Sequence, residues 1–499
     1  MVFNAYPESV KSFIRFRVAT GLICAYNSQK MKVRQQITRI EEDLWEIVVL
    51  VKVNSNGYSS YILRYCEGQE RDEGLAVPIN GKFFDGDAYR LEFDETGRFR
   101  NVTAKLDNVL YQWENEICVM KTKDGRVQPS DLSPDDPKYY NSFLSRYVNP
   151  QEPLSFSALR GPLLNVMIQR YSSAVTVITR VIKSVSVSKK TASRGHLIDQ
   201  SILLSAPVSD GDLVLVSHLE DIHNNLRVHV DLNGRGMQVR QGEAIPSDET
   251  ALADWASRNA FAVTSQAFIQ DEDLDVTKQD YSRASFFFEF PRGVLTGEGT
   301  VFLPLTVGGV ARGEKKSEEE KQYELNIVEE QVAMTLERSV NGLFSNSEKL
   351  FSSLLSRPHF FMYYNNTKEN KDNKNLKHIV QIMKGTLPPQ IVVLSFQRLS
   401  SLKKEYLLRM ENTAEPEDIY QNTPNSVEVD LTTVVKSLKV SSIVEVSLFG
   451  ESKLQEVDGN RLRWTGEDGV KSGGVSRSVQ SEKKVSFLPL QIRTFLLSE

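Results

Sequence analysis

From Val175 to Val187 nearly every second position is apolar: Val175, Val177, Val181, Val185 and Val187, with Thr179 and Lys183 between them. The other parity carries Thr176, Ile178, Arg180, Ile182, Ser184 and Ser186. A period of two over a dozen residues predicts a long half-buried strand. Valine and isoleucine stiffen its backbone, and lysine or arginine keeps its wet face solvated. Residues 212–217 and 226–230 repeat the pattern at strand length. Asp231-Leu-Asn-Gly-Arg235 then predicts a tight turn between strands, because Asn-Gly tolerates the positive φ a hairpin needs. These runs predict the middle of a large antiparallel sandwich.

Alternation also marks residues 13–18, 44–51 and 60–64, which read as a small all-β unit over 1–72, ending in the polar stretch 67–73. The central sandwich is expected over 73–310. There, residues 88–93, the Gly-bearing turn 94–97 and residues 98–102 spell strand, turn and strand. Residues 286–290 form a compact apolar run stopped by Pro291, and Ser247 heads a short capped helical turn over 247–255. Segment 311–386 reads as a linker and helix-containing piece that completes the central region. Residues 308–321 carry the linker composition and a solvated charge run. Helix is expected within 323–355, where apolar residues fall at mixed three- and four-residue spacing. Residues 367–375 are strongly polar and read as a disordered loop. Strand-length runs return over 387–499, around a Gly/Ser-rich loop at 466–481, and predict a C-terminal β-sandwich. The expected class is all-β: a small N-terminal β unit, a large central sandwich, a C-terminal sandwich and minor helix.

Composition narrows the function classes. A chain of 499 residues exceeds one core, so two to four domains are expected. A net charge of −5, without clustered Lys and Arg, offers no nucleic-acid surface. No apolar run approaches the ~18 residues of a membrane span, and the first residues lack the apolar core of a signal peptide. Cys24, Cys66 and Cys118 are widely spaced, which argues against a disulfide framework or zinc knuckle and predicts three buried or free thiols.

Several segments together resemble glycoside hydrolase family 38, the retaining α-mannosidases, and most closely its lysosomal branch. Val2-Phe-Asn4 before residues 13–18 is similar to the family's VFNPL strand. Asn56-Gly-Tyr-Ser-Ser-Tyr61 is similar to its PLGYxxY strand. Arg160-Gly-Pro-Leu163 with Val175-Thr-Val-Ile-Thr-Arg180 resembles RGPL followed by WVSQVxR. Asp231-Leu-Asn-Gly-Arg235, with Met237 and Arg240, resembles TDxNGxxMxxR, and Phe261-Ala-Val-Thr-Ser-Gln266 resembles YYPVxSxxY. Leu408-Arg-Met-Glu411, Val429-Asp-Leu431 and Leu490-Gln-Ile-Arg-Thr-Phe495 continue the match in family order; the last resembles PMEIRTFLL.

The resemblance implies a mutarotase-like central sandwich within the family's C-terminal all-β portion. The family's chemistry comes from an N-terminal domain with an Asp nucleophile and a zinc held by a His-x-Asp pair, a further Asp and a His. That domain is expected to be absent from this chain. Catalytic and metal residues are therefore expected to be none, with zinc belonging to the full-length family only. His229-Val-Asp231 has the bare His-x-Asp spacing but no matching second histidine, and His218 with His223 is read the same way. A family loop, DDxRGxG, supplies an arginine to the sugar. Arg312 in Val310-Ala-Arg-Gly-Glu314 is its candidate carbohydrate-binding counterpart, although the two aspartates are missing. Arg292-Gly293 is a second candidate. The implied function is the non-catalytic β half of an α-mannosidase-like hydrolase. The alternative is a degenerate, stand-alone glycan-binding or structural sandwich protein. Implied partners are mannose-containing glycans, a catalytic half or a second copy of the chain. The implied setting is lysosomal, vacuolar or secretory.

Overall fold

The computed structural model describes residues 2–4, 10–54, 57–66, 74–105, 108–120, 149–150, 152–183, 197–204, 212–232, 235–244, 259–272, 281–307, 310–311, 328–338, 359–360, 379–381, 387–388, 391–400, 404–412, 426–434, 439–454, 456, 464–465, 471–472 and 484–498. Strands dominate them, with a four-residue helix at Leu431–Val434. The all-β expectation holds.

A ten-stranded and a nine-stranded sheet make the centre of the molecule. Their facing sides share one core, with Phe99, Trp113 and Leu215 from one sheet against Val177, Phe286 and Met334 from the other. Trp113 stacks on Phe99 at 5.1 Å, and its indole N–H donates to Ser217 Oγ at 2.9 Å. Burying each such side chain is worth about 1.5–3 kcal/mol.

The strand Val175–Ile182 lies inside the ten-stranded sheet, between Leu164–Arg170 and Ile198–Leu204. Val175, Val177 and Val181 enter the shared core. Ile178 and Ile182 enter a second core with Ile40 and Val48. All eight residues are buried, so the half-buried expectation is corrected. What reads as a wet face is covered by the N-terminal sheet of Val10–Val18, Leu44–Val53 and Gln35–Glu41. The expected hairpin is present: Arg227–Leu232 pairs with Arg235–Gln241, and Leu232 lies opposite Arg235.

Two further expectations are overturned. Where helix is expected within 323–355, Val328–Arg338 is a strand, bonded to Ile198–Leu204 on one side and Ser282–Phe288 on the other. Val332, Met334 and Leu336 have period two and fill the shared core. Central pairing on both edges overrides the weak helical spacing. The thiols also differ from expectation: Cys24 and Cys66 form a disulfide, and Cys118 is free and buried. Ile23–Asn27 pairs with Tyr61–Tyr65, and Cys66 N–H donates to Leu22 at 2.8 Å. That register brings two Cα atoms 42 residues apart to within 5.0 Å, inside disulfide range.

At the C-terminal end, Ile391–Ser400, Glu405–Asn412, Ile492–Ser498 and Ser442–Val446 form a sheet, and Val427–Asp430 pairs with Lys484–Phe487. They enclose their own core around Leu408, Met410, Phe487 and Phe495. The turn expected at 247–255, the charge run 314–321 and the polar stretch 367–375 lie outside the described residues.

Candidate functional site

The segments that carry the family resemblance meet in pairs. Alternation points Arg15 and Arg17 of Val10–Val18, and Glu46 of Leu44–Val53, at the outer face of the ten-stranded sheet. Arg180 grips Glu46 with a two-pronged fork, Nε to Oε1 at 2.8 Å and Nη2 to Oε2 at 2.5 Å, and its Nη1 donates to Ser201 at 2.8 Å. Their side chains are 1% and 2% exposed. Arg15 pairs with Asp199 and donates to Gln331 at 3.2 Å; Arg17 donates to Glu329 at 2.8 Å. Burial alone would push the Glu46 carboxyl up, but Arg180 and Arg15 outweigh it and hold the group below its ordinary range. Burial likewise works against the charge on Arg15, and Asp199, Glu46 and Glu329 overcome it.

The Arg160-Gly-Pro-Leu163 segment receives Gln36 from the same N-terminal sheet. Gln36 Oε1 accepts from the backbone of Leu163 and Leu164 at 3.1 and 2.8 Å. A Cβ on Gly161 would lie 2.0 Å from that oxygen, which explains the glycine. Asp231 of the hairpin ties down the turn after Ala260–Val263. It accepts from the N–H groups of Thr264, Ser265 and Gln266 at 3.0, 3.0 and 3.1 Å and from Ser265 Oγ at 2.7 Å. Asp231 is 2% exposed, so the bare His-x-Asp spacing serves the fold.

The most reactive-looking cluster surrounds His229 on the outer face. Its Nε2–H donates to Glu272 Oε1 at 2.8 Å, and Arg227 donates to Glu272 Oε2 at 3.3 Å. The imidazole stacks on Phe268 at 4.2 Å, and Arg283 sits over the same ring at 4.0 Å. Burial lowers the imidazole's pKa and prevails over the opposing pull of Glu272. A carboxylate-oriented imidazole is half of a catalytic relay, yet its other neighbours here are a phenyl ring and two cations.

Arg312 lies outside the described residues. Arg292 is 4% exposed, paired with Glu330 across the two sheets and stacked over Phe288 at 5.0 Å, so it acts inside the sandwich. His218 bonds Thr300 Oγ1 at 2.8 Å, and His223 lies 3.8 Å from Glu298. Among the described residues no three His, Cys, Asp or Glu side chains gather as metal ligands. The His229 cluster brings one imidazole and one carboxylate beside two arginines, which does not fit a zinc needing about three ligands. Sequence reasoning missed Gln36, Glu46 and Glu272, each of which has a partner far along the chain.

No family model matches the chain. A 117-residue stretch is 29% identical to the lysosomal α-mannosidase of Dictyostelium discoideum, covering 22% of this chain and 11% of that protein. A glycosyl hydrolase family 38 protein from Enterococcus faecalis matches 100% of this chain and 57% of its own, with a TM-score of 0.50 at 10% identity. An α-mannosidase from Enterococcus faecalis V583 matches 100% of this chain and 55% of its own, with a TM-score of 0.49 at 10% identity. The chain thus spans less than two thirds of these relatives. The resemblance read from the sequence stands: the chain has the fold of a partial family 38 region.

Proposed function

We propose that the chain is the non-catalytic β half of an α-mannosidase-like glycoside hydrolase, working on mannose-containing glycans beside a catalytic half that supplies zinc and carboxylates. The observation that carries this reading is the coverage of the whole chain by the fold of a family 38 protein. The roles of the resembling segments agree with it: Arg180, Gly161 and Asp231 all act in the framework. Retaining hydrolysis needs a nucleophile and an acid roughly 5 Å apart. Glu46 and Glu330 are instead spent on arginines, and Asp231 on a turn. The Cys24–Cys66 disulfide favours an oxidising, secretory or lysosomal setting.

The test is hydrolysis of an aryl α-mannoside by the purified chain with added zinc, beside a metal assay after dialysis. The expected result is no turnover and no stoichiometric zinc. Turnover that a chelator abolishes would overturn the reading.

A further inference from the structure

We propose that Asn101 is the acceptor of an N-linked glycan whose first sugars cover Phe83 and Leu110 on the outer face of the nine-stranded sheet. Asn101-Val-Thr103 is an Asn-x-Thr acceptor sequence. A second such tripeptide, Asn365-Asn-Thr367, lies outside the described residues. Asn101 and Thr103 stand two apart on the strand Phe99–Ala104 and share its outer side, while Val102 and Ala104 enter the shared core. Register fixes their surroundings. Asn101 lies opposite Glu92 on one side and Gln112 on the other, and Thr103 lies opposite Arg90 and Leu110. Glu92 in turn lies opposite Phe83 of the strand Phe83–Asp85, at the edge of the sheet.

This corner of the sheet is open to solvent. Asn101 and Thr103 are half-buried, and Arg90, Arg100 and Gln112 around them are exposed, which leaves room for a glycan. Phe83 and Leu110 are 48% and 55% exposed on a face that is otherwise polar. Leu110 stands diagonally from Asn101, within reach of a group attached there. Phe83 is two strands away, roughly 10 Å at the ordinary strand spacing, which a disaccharide spans. The C–H faces of those sugars would take both side chains out of water. Attachment forms a bond from Asn101 Nδ2 to C1 of the first N-acetylglucosamine. It breaks the bond from C1 to a lipid-linked diphosphate, which leaves with the electron pair, and the amide gives up one proton to a base of the transferase. The amide's other hydrogen remains, so its donation to Glu92 Oε2 at 3.0 Å survives. The modification therefore fits the folded sheet without breaking a bond that holds it.

That the chain meets the transferase rests on the secretory setting inferred above from the Cys24–Cys66 disulfide; the geometry around Asn101 does not. The experiment secretes the full chain from cultured animal cells behind a cleavable leader, in an Asn365→Gln background, and maps its glycopeptides by mass spectrometry. Most molecules are expected to carry a glycan on Asn101, lost in Thr103→Ala and kept in Thr103→Ser. An unmodified Asn101, or a glycan that persists in Thr103→Ala, would overturn the proposal. Enzymatic removal of the glycan from the folded chain should raise the fluorescence of an apolar dye by about twofold, as newly bared apolar surface does. The paired replacements Phe83→Ser and Leu110→Ser should remove that rise. Unchanged fluorescence, or a rise that persists in the paired variant, would overturn the covering of Phe83 and Leu110. A bare Asn101 in a chain whose disulfide has formed would leave the α-mannosidase reading to its own hydrolysis test.

Discussion

Over the strands Leu164–Arg170, Val175–Ile182 and Ile198–Leu204, both faces of the ten-stranded sheet are buried, by unlike means. The inner face meets its partner sheet through side chains such as Val177, Phe286 and Met334, which gain by area and are indifferent to direction. The outer face meets the N-terminal sheet through Arg180 on Glu46, Arg15 on Asp199 and Arg17 on Glu329, beside a smaller apolar core. Removing those charges from water offsets much of their attraction, so their net contribution to stability is small. What they add is position, since a forked arginine can donate to its carboxylate in few geometries. Area holds the sandwich together, and charge decides where the N-terminal sheet sits on it.

Breaking the charged side should give the largest effect. Arg180→Met leaves Glu46 buried without its main partner and is expected to cost about 3–5 kcal/mol in urea denaturation. Adding Glu46→Leu should restore most of that loss; equal losses in single and double variants would end the contrast between the faces. Next comes the staple within the N-terminal unit. Replacing Cys24 and Cys66 by serine is expected to cost about 2–4 kcal/mol, read as a fall in melting temperature that reductant reproduces in the unmodified chain. On the inner face, Ile202→Val should cost only about 0.5–1.5 kcal/mol and leave the N-terminal unit docked, as limited proteolysis would report. A large loss there would mean that the apolar side is also specific.

The smallest effect separates the faces by pH. The Glu46 carboxyl is lowered in the folded chain, so its contribution is complete above the ordinary carboxylate range and is lost as pH falls through the lower folded value. The seam should therefore survive mild acid. His229 acts at higher pH: its folded pKa is lowered, so just below the ordinary imidazole value the unfolded chain gains a proton that the folded one refuses, and stability drops. Denaturation midpoints across the weakly acidic range should show a shallow fall that His229→Gln removes. An unchanged slope in that variant would assign the fall to another group.

Much of the fold was legible because its signals are local. Asn233-Gly234 between two alternating runs marks a hairpin within a few residues, and the pairing of Leu232 with Arg235 follows. What could not be read depends on partners far along the chain. Arg180 looks like a solvent-facing residue until Glu46 is brought to it, and nothing near Cys24 announces Cys66. The strand Val328–Arg338 was hidden by its own polar side: Glu329, Gln331 and Glu337 break the apolar pattern, and the first two are reached by Arg17 and Arg15 from the N-terminal unit. Of the site, the sequence offered Arg312, which lies outside the described residues, and Arg292, which is locked onto Glu330.

The placement of Val328–Arg338 also bears on how the molecule comes into being. The strands Ile198–Leu204 and Ser282–Phe288 are both made before it, and each takes it as a neighbour. While the nascent chain emerges, their facing edges carry open backbone donors and acceptors, the condition under which strands find wrong mates. Only when Arg338 has left the ribosome can one strand join the two edges into a continuous sheet. Assembly of the centre therefore waits on late-made residues, and that interval, more than the finished structure, is when the chain is exposed to aggregation.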